Sequence, residues 1–147
     1  RRDSGECKLR TPKRYNQNLR TEEDVEQRIE SCRLYHFTPK RVARLFVEIK
    51  KCELCQYDLE LAGRAMRDAI DHLHKFPGGG GPYRGRLCMG CNTEEGKMLK
   101  QAHMAHPNDE LKRAGAHVDL LCDRRELTRV VVVEYLARTD DIYSKVE

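Results

Sequence analysis

The chain has 147 residues, 35 % of them charged, and a mean hydropathy of −0.78. That length suits one domain with a modest core, and the composition points to a soluble protein. It excludes a membrane span, because residues 130–133 form the longest continuous apolar run, far short of the roughly 18 residues needed. No apolar leader of the signal-peptide kind opens the sequence; the first residue is Arg1 rather than methionine, consistent with a missing initiator or leader. Charge is unevenly distributed: residues 1–51 carry 14 Lys/Arg against 8 Asp/Glu, and residues 52–147 carry 14 against 16. A basic leading segment fits an arm that meets a polyanion, or simply a solvated tail.

Three parts follow in chain order. In residues 1–51, the first twenty lack apolar periodicity and read as extended or disordered. Thr21 then caps a helix with an acidic first turn (Glu22, Glu23, Asp24) and an apolar stripe of Val25, Ile29 and Cys32. Thr38-Pro39 restarts the chain as N-cap and first helical residue, and Val42, Leu45, Phe46 and Ile49 continue at helical spacing. A basic arm and a helical hairpin thus lead into Cys52.

Residues 52–106 begin irregularly, with short strands expected around residues 56–61 and 65–72. Pro77-Gly78-Gly79-Gly80-Gly81-Pro82 excludes helix or central strand and reads as a surface loop. A helix is expected directly after Cys91, with Asn92-Thr93-Glu94-Glu95 as its capping box and Met98, Leu99 and Ala102 on its apolar side. In residues 107–147, Pro107-Asn108-Asp109 breaks that helix and a short one follows at residues 110–114. From Val118 onward, Leu121, Leu127, Val130, Val131, Val133 and Leu136 predict one long helix. Its apolar face is wide enough to suggest a partner subunit, with packing on its own core as the alternative.

The chemistry concentrates in the middle part. Cys52-x-x-Cys55 and Cys88-x-x-Cys91 together make a four-thiolate set suited to tetrahedral Zn²⁺. Seven cysteines in all, an odd count with two such pairs, fit metal binding in a reducing compartment better than a disulfide scaffold. Cys7, Cys32 and Cys122 read as ordinary thiols. Between the pairs, Asp71-His72-Leu73-His74 offers a hard oxygen ligand suited to Mg²⁺ and imidazoles that titrate near neutrality. In a regular strand His72 and His74 would face away from Asp71, so convergence requires a bulge or strand end. Asn92 and Glu95 read either as a capping box alone or as additional groups at a metal-and-phosphate site.

The run Cys52-Glu-Leu-Cys55, Asp71-His72-Leu73-His74 and Arg84-Gly85-Arg86-Leu87-Cys88-Met89-Gly90-Cys91-Asn92-Thr93-Glu94-Glu95-Gly96 resembles the phage recombination endonuclease VII family, within the His-Asn-His, ββα-metal nucleases. The resemblance covers about residues 45–100. Together with the elements read above, it implies a mostly α protein with a small β-hairpin and a zinc-stapled ββα-metal (His-Me finger) core, acting as an intertwined homodimer. The N-terminal helical hairpin, longer than the family core needs, and the long C-terminal helix rest on the residue pattern. The resemblance implies structural Zn²⁺ on Cys52, Cys55, Cys88 and Cys91, and catalytic Mg²⁺ (or Mn²⁺) on Asp71 and Asn92. His72 would be the general base, His74 would assist at the phosphate, and Glu95 would support the metal. The implied activity is cleavage of four-way junctions and other branched DNA by a homodimer, in the cytoplasm of the host if the chain is phage-encoded. Arg84, Arg86, Lys13 and Arg14 are expected to bind backbone phosphates. Leu73 stands where the family's pattern has a second acidic residue, and the phage enzyme continues beyond the point where this chain stops. A nicking or restriction-type nuclease acting on ordinary duplex, and a non-catalytic zinc module, are the alternatives.

Overall fold

The computed structural model describes residues 19–31, 41–60, 68–73 and 82–147. The expected Thr38-Pro39 helix start, the glycine-rich stretch 77–81, His74, Cys7, Cys32, Lys13 and Arg14 lie outside the described residues.

Helix α1 (Glu22–Ser31) starts as expected. Asp24 N donates to Thr21 Oγ1 at 3.1 Å, and Thr21 N donates back to Asp24 Oδ2 at 3.1 Å, a reciprocal capping box. Val25 and Ile29 are fully buried on its inner face. They meet Ala43 and Phe46 of α2 (Val42–Glu48), together with Leu19 and Ile70, in a small apolar cluster. Burying Phe46 alone contributes roughly 2–3 kcal/mol. Leu45, expected on the same stripe, instead faces solvent.

The chain then turns at the first cysteine pair. Cys52 N donates to Tyr57 O at 2.9 Å and Gln56 N to Cys52 O at 2.9 Å, with Gln56 in the left-handed region at φ 67°. The strand expected at residues 56–61 reduces, among the described residues, to one antiparallel bridge between Lys51 and Asp58. The second expected strand appears as β1 (Asp68–His72), paired antiparallel with β2 (Tyr83–Cys88). Asp71 lies opposite Gly85, yet His72 lies opposite Tyr83, so the ladder is irregular between Asp71 and His72. Arg84 is the extra residue that a bulge accommodates.

Helix α3 (Met89–Ala105) follows β2 without a loop. Its N-cap is Cys88, whose sulfur accepts from Cys91 N at 3.4 Å. The expected start after Cys91, with Asn92 as cap, is therefore corrected: the second cysteine pair is itself the helix's first turn, and a sulfur replaces the capping oxygen. Pro107 disfavours helix at the residue before it, and α3 ends at His106. Asp109 caps α4 (Glu110–Arg125) by accepting from Lys112 N at 3.0 Å.

The single long C-terminal helix is also corrected. α4 runs past the short helix expected at residues 110–114 and stops at Glu126, which is left-handed at φ 55°, ψ 51°. Leu127 N donates to Cys122 O at 3.0 Å, closing the helix end in the manner of a Schellman motif. α5 (Arg129–Leu136) and a 3-10 turn (Asp141–Lys145) then pack back on the same core. Ala114, Val118 and Leu121 before the break stay in helical phase with Val132, Tyr135 and Leu136 after it, which is why the sequence reads as one rod. An unbroken helix of that length would extend about 40 Å, beyond the cover of this small core. The α5 face that suggested a partner is largely buried against its own chain, with Val130 exposed. Among the described residues, no helix is long and apolar enough to cross a membrane.

Candidate active site and metal centre

Two polar centres sit on the β1–β2–α3 unit. The first is the cysteine set. The ligand atoms of Cys52, Cys55, Cys88 and Cys91 all lie within 4.8 Å of one another, and Cys55 Sγ is 3.8 Å from Cys88 Sγ. Four thiolates about 2.3 Å from a tetrahedral Zn²⁺ stand about 3.8 Å apart, so the spacing fits that ion. The sulfurs also compete for protons. Hydrogen bonding with Cys88, aided by burial, pushes the Cys52 thiol up to about 12, while hydrogen bonds from Cys52 and Cys91 pull Cys88 down. A shared cation would replace those protons, and the four sulfurs are the soft donor set that suits a metal such as zinc. Arg125 Nη2 adds a contact of 3.8 Å to Cys88 Sγ from the end of α4.

The first knuckle is tied to β2 through Glu53. Glu53 N donates to Arg86 O at 3.1 Å, and Arg86 N donates to Glu53 Oε2 at 2.9 Å. Glu53 Oε1 accepts from Arg138 Nη1 at 2.8 Å. The first knuckle is therefore hydrogen-bonded directly to the strand that carries Arg84.

The second centre is built around Asp71, fully buried at the irregular point of β1. Asp71 Oδ2 accepts from Arg84 Nε at 2.8 Å and from Tyr135 Oη at 2.7 Å. Arg84 Nη2 lies 3.2 Å from Glu95 Oε2, at an angle unsuited to a hydrogen bond. His117 Nε2 is 3.1 Å from the Glu95 carbonyl and 3.5 Å from Glu95 Oε2, and its Nδ1 is 2.7 Å from Tyr143 Oη. One guanidinium thus stands between two buried carboxylates. Burial, then the Asp71 charge, pushes Glu95 up to about 7 against the pull of Arg84. Burial opposes the Arg84 charge, but Asp71 and Glu95 outweigh it and hold the guanidinium above its ordinary value. Burial and then Asp71 keep Tyr135 well above the usual phenol range, so it remains a hydrogen-bond donor.

Among the described residues, Asp71 Oδ1 and both Glu95 carboxylate oxygens are buried without a hydrogen-bond partner. Buried oxygens of that kind are costly unless something completes them. Hard oxygen donors fit a Mg²⁺-type cation. Asn92 sits half-buried on the first turn of α3, which packs against both strands. His72 is half-buried at the end of β1.

Asp71 and Glu95 are thereby brought together through Arg84. Arg84 and Arg86, read from the sequence as phosphate-binding, are corrected: they are 4 % and 2 % exposed and serve the interior. Arg86 donates to Leu19 O at 2.7 Å, to Phe46 O at 3.4 Å and to Ile49 O, and its guanidinium lies 4.6 Å from the Phe46 ring centre. It fastens the N-terminal hairpin to β2 through main-chain carbonyls. Tyr135, His117, Tyr143 and Glu53 are participants the sequence reading missed. Tyr135 hides within an apolar stripe, where a lone aromatic looks like core; only the acid inside Cys52-Glu-Leu-Cys55 offered a signal for Glu53.

No curated protein and no solved structure matches the chain. The family model for recombination endonuclease VII matches residues 26–138, from α1 through the cysteine set and the Asp71 cluster to just past α5. The chain belongs to the recombination endonuclease VII family.

Proposed function

We propose that the protein is a metal-dependent DNA endonuclease that hydrolyses phosphodiester bonds in branched DNA such as four-way junctions. Family membership supports a nuclease, and one structural observation supports the site: the irregularity between Asp71 and His72, which departs from strict strand alternation where convergence requires it. β1, β2 and α3 follow the order of a ββα-metal (His-Me finger) core spanning residues 52–106, with residues 1–51 as arm and hairpin and residues 107–147 as the C-terminal segment. The acting species is a homodimer in the cytoplasm, that of the host if the chain is phage-encoded.

In this reading Asp71 and Asn92 hold the cation, Mg²⁺ or Mn²⁺, and Cys52, Cys55, Cys88 and Cys91 hold Zn²⁺. When bound, the Mg²⁺ would stabilise charge on the phosphate and on the departing 3′ oxygen. His72 removes a proton from water, a role that suits imidazole near neutral pH. His74 assists at the phosphate, and Glu95 steadies Asp71 through Arg84. Lys13 and Arg14 of the arm, joined by the exposed Arg41, Arg44 and Lys51, supply positive charge for backbone phosphates.

The test is cleavage by wild type and His72→Ala, with and without Mg²⁺, on a labelled four-way junction and its linear arm. Mg²⁺-dependent paired cuts on the junction, lost in the variant, are the expected result. Equal cutting of both substrates would reassign the enzyme to ordinary duplex. No cutting by folded, zinc-loaded protein would make it a binding module.

A further inference from the structure

Asp71 comes from β1, but one of the two groups that orient it comes from α5, 64 positions later in the chain. Tyr135 reaches it across β2 at the one place where that strand has no side chain. Gly85 is the ladder partner of Asp71. A Cβ there would lie 2.7 Å from Tyr135 Cε1, 2.9 Å from Tyr135 Oη and 2.5 Å from Glu53 Oε2. Real Cβ atoms do not approach so closely, so glycine makes the slot through which the phenol passes.

The ring is also held on its faces. Arg84 lies 5.4 Å and Arg138 4.8 Å from its centre, and Arg138 Nη1 is anchored to Glu53 Oε1 at 2.8 Å and to the Arg84 carbonyl at 3.3 Å. Tyr135 is 2 % exposed, and its hydroxyl is spent on one acceptor, Asp71 Oδ2, which also accepts from Arg84 Nε. Both donors therefore converge on the same carboxylate oxygen, and Oδ1 is left buried without a hydrogen bond.

We propose that Tyr135 is a positioning residue that, through the Gly85 slot, locks Asp71 with Oδ2 turned to the protein and Oδ1 presented to a divalent cation. The physical alternative for Asp71 is a two-pronged pair with Arg84. A guanidinium readily takes both oxygens of a carboxylate in parallel. Occupying Oδ2 with a second donor prevents that turn, so the arginine that neutralises the site does not also block it. This role rests on the proposed use of Asp71 as a metal ligand.

The experiment compares wild type, Tyr135→Phe and Asp71→Asn. Mn²⁺ binding is titrated by electron paramagnetic resonance, alongside zinc content, melting temperature and the Mg²⁺ dependence of cleavage. Tyr135→Phe is expected to keep its zinc while binding Mn²⁺ about tenfold more weakly, with the cleavage rate largely restored by excess Mg²⁺. Asp71→Asn is expected to lose the site, and excess Mg²⁺ should not restore it. A role in packing alone would lower the melting temperature and leave Mn²⁺ affinity unchanged. Wild-type Mn²⁺ affinity in Tyr135→Phe, with binding lost in Asp71→Asn, overturns the positioning role and leaves the nuclease reading standing. Failure of the wild type to bind Mn²⁺ overturns both. Should Tyr135→Phe not fold, Arg138→Gln at its half-exposed position frees one face of the ring. It is expected to weaken Mn²⁺ binding about threefold, and unchanged affinity there overturns the proposal.

Discussion

The sulfur centre and the carboxylate centre share one β-hairpin and helix but are assembled in opposite ways. Each cysteine pair takes its geometry from a single local turn, the first a knuckle closed by Cys52 and Gln56, the second the opening turn of α3. The carboxylate centre draws one side chain each from β1, β2, α3, α4, α5 and the terminal 3-10 turn. They also balance charge differently. The four sulfurs are placed to share one metal ion, with Arg125 as the nearby cation at 3.8 Å from Cys88 Sγ, whereas Asp71 and Glu95 carry their own cation in Arg84. The first centre takes its ligands from two local turns, although its cysteines pack in one core with α4 and α5; the second takes its groups from six elements.

The sharpest way to break that contrast is to remove one sulfur. Cys88→Ser should lose zinc and unfold the core, since apparent binding energies of structural zinc run to about 10 kcal/mol or more. Metal content and circular dichroism measure it; a zinc-free variant with native-like spectra would show that the knuckles hold without metal. His72→Ala tests the other centre through the proposed base while leaving Asp71, Arg84 and Glu95 in place. Cleavage should fall at least 10²- to 10⁴-fold, roughly the contribution of a general base, while zinc content stays at the wild-type level. Turnover near wild type would remove His72 from that role.

Arg84→Met addresses the internal counterion. It leaves Asp71 and Glu95 buried against each other, at 0 % and 1 % exposure, and should cost about 3 kcal/mol in a urea titration. An unchanged midpoint would mean the two acids do not depend on the guanidinium.

The smallest expected effect concerns pH. Glu95 lies at about 7 in the folded protein against an ordinary 4.5, so the folded state binds its proton more tightly than the unfolded state does. Stability relative to Glu95→Gln should therefore be greatest below pH 4.5. It should decline by about 2–3 kcal/mol as pH rises to 7 and level off above that. Denaturation of both proteins across this range, without added divalent metal, checks it; parallel curves would show that Glu95 titrates normally.

The same contrast explains what the sequence disclosed. Two cysteine pairs at matching spacing announce a metal centre because the ligands' neighbours in sequence are their neighbours in space. Asp71 was legible for the same reason, standing beside histidines in a short motif. Thr21 with Asp24 was legible as a cap, since its partners lie within one turn. Arg84 and Arg86 misled because a charged pair on a strand ordinarily faces solvent. Here the bulge places one between two acids, and the main-chain carbonyls at Leu19, Phe46 and Ile49 receive the other. The break at Glu126 was hidden by a residue with no special liking for the left-handed region, in a stretch whose apolar phase runs unbroken across it. Asn92 lost its expected capping role because a cysteine sulfur three residues earlier than Cys91 had already taken it.

The long reach of Tyr135 has a consequence in time. A chain is synthesised from its N-terminus at roughly 5–20 residues per second. All four cysteines, with both strands, emerge before α4 and α5 exist, so the sulfur ligands are all available early, with Cys88 33 positions after Cys55. The group that orients Asp71 arrives a few seconds later, after the chain has turned back at Glu126. The acidic centre is thus completed only by the last α-helix to be made, whereas every sulfur ligand is already present by Cys91.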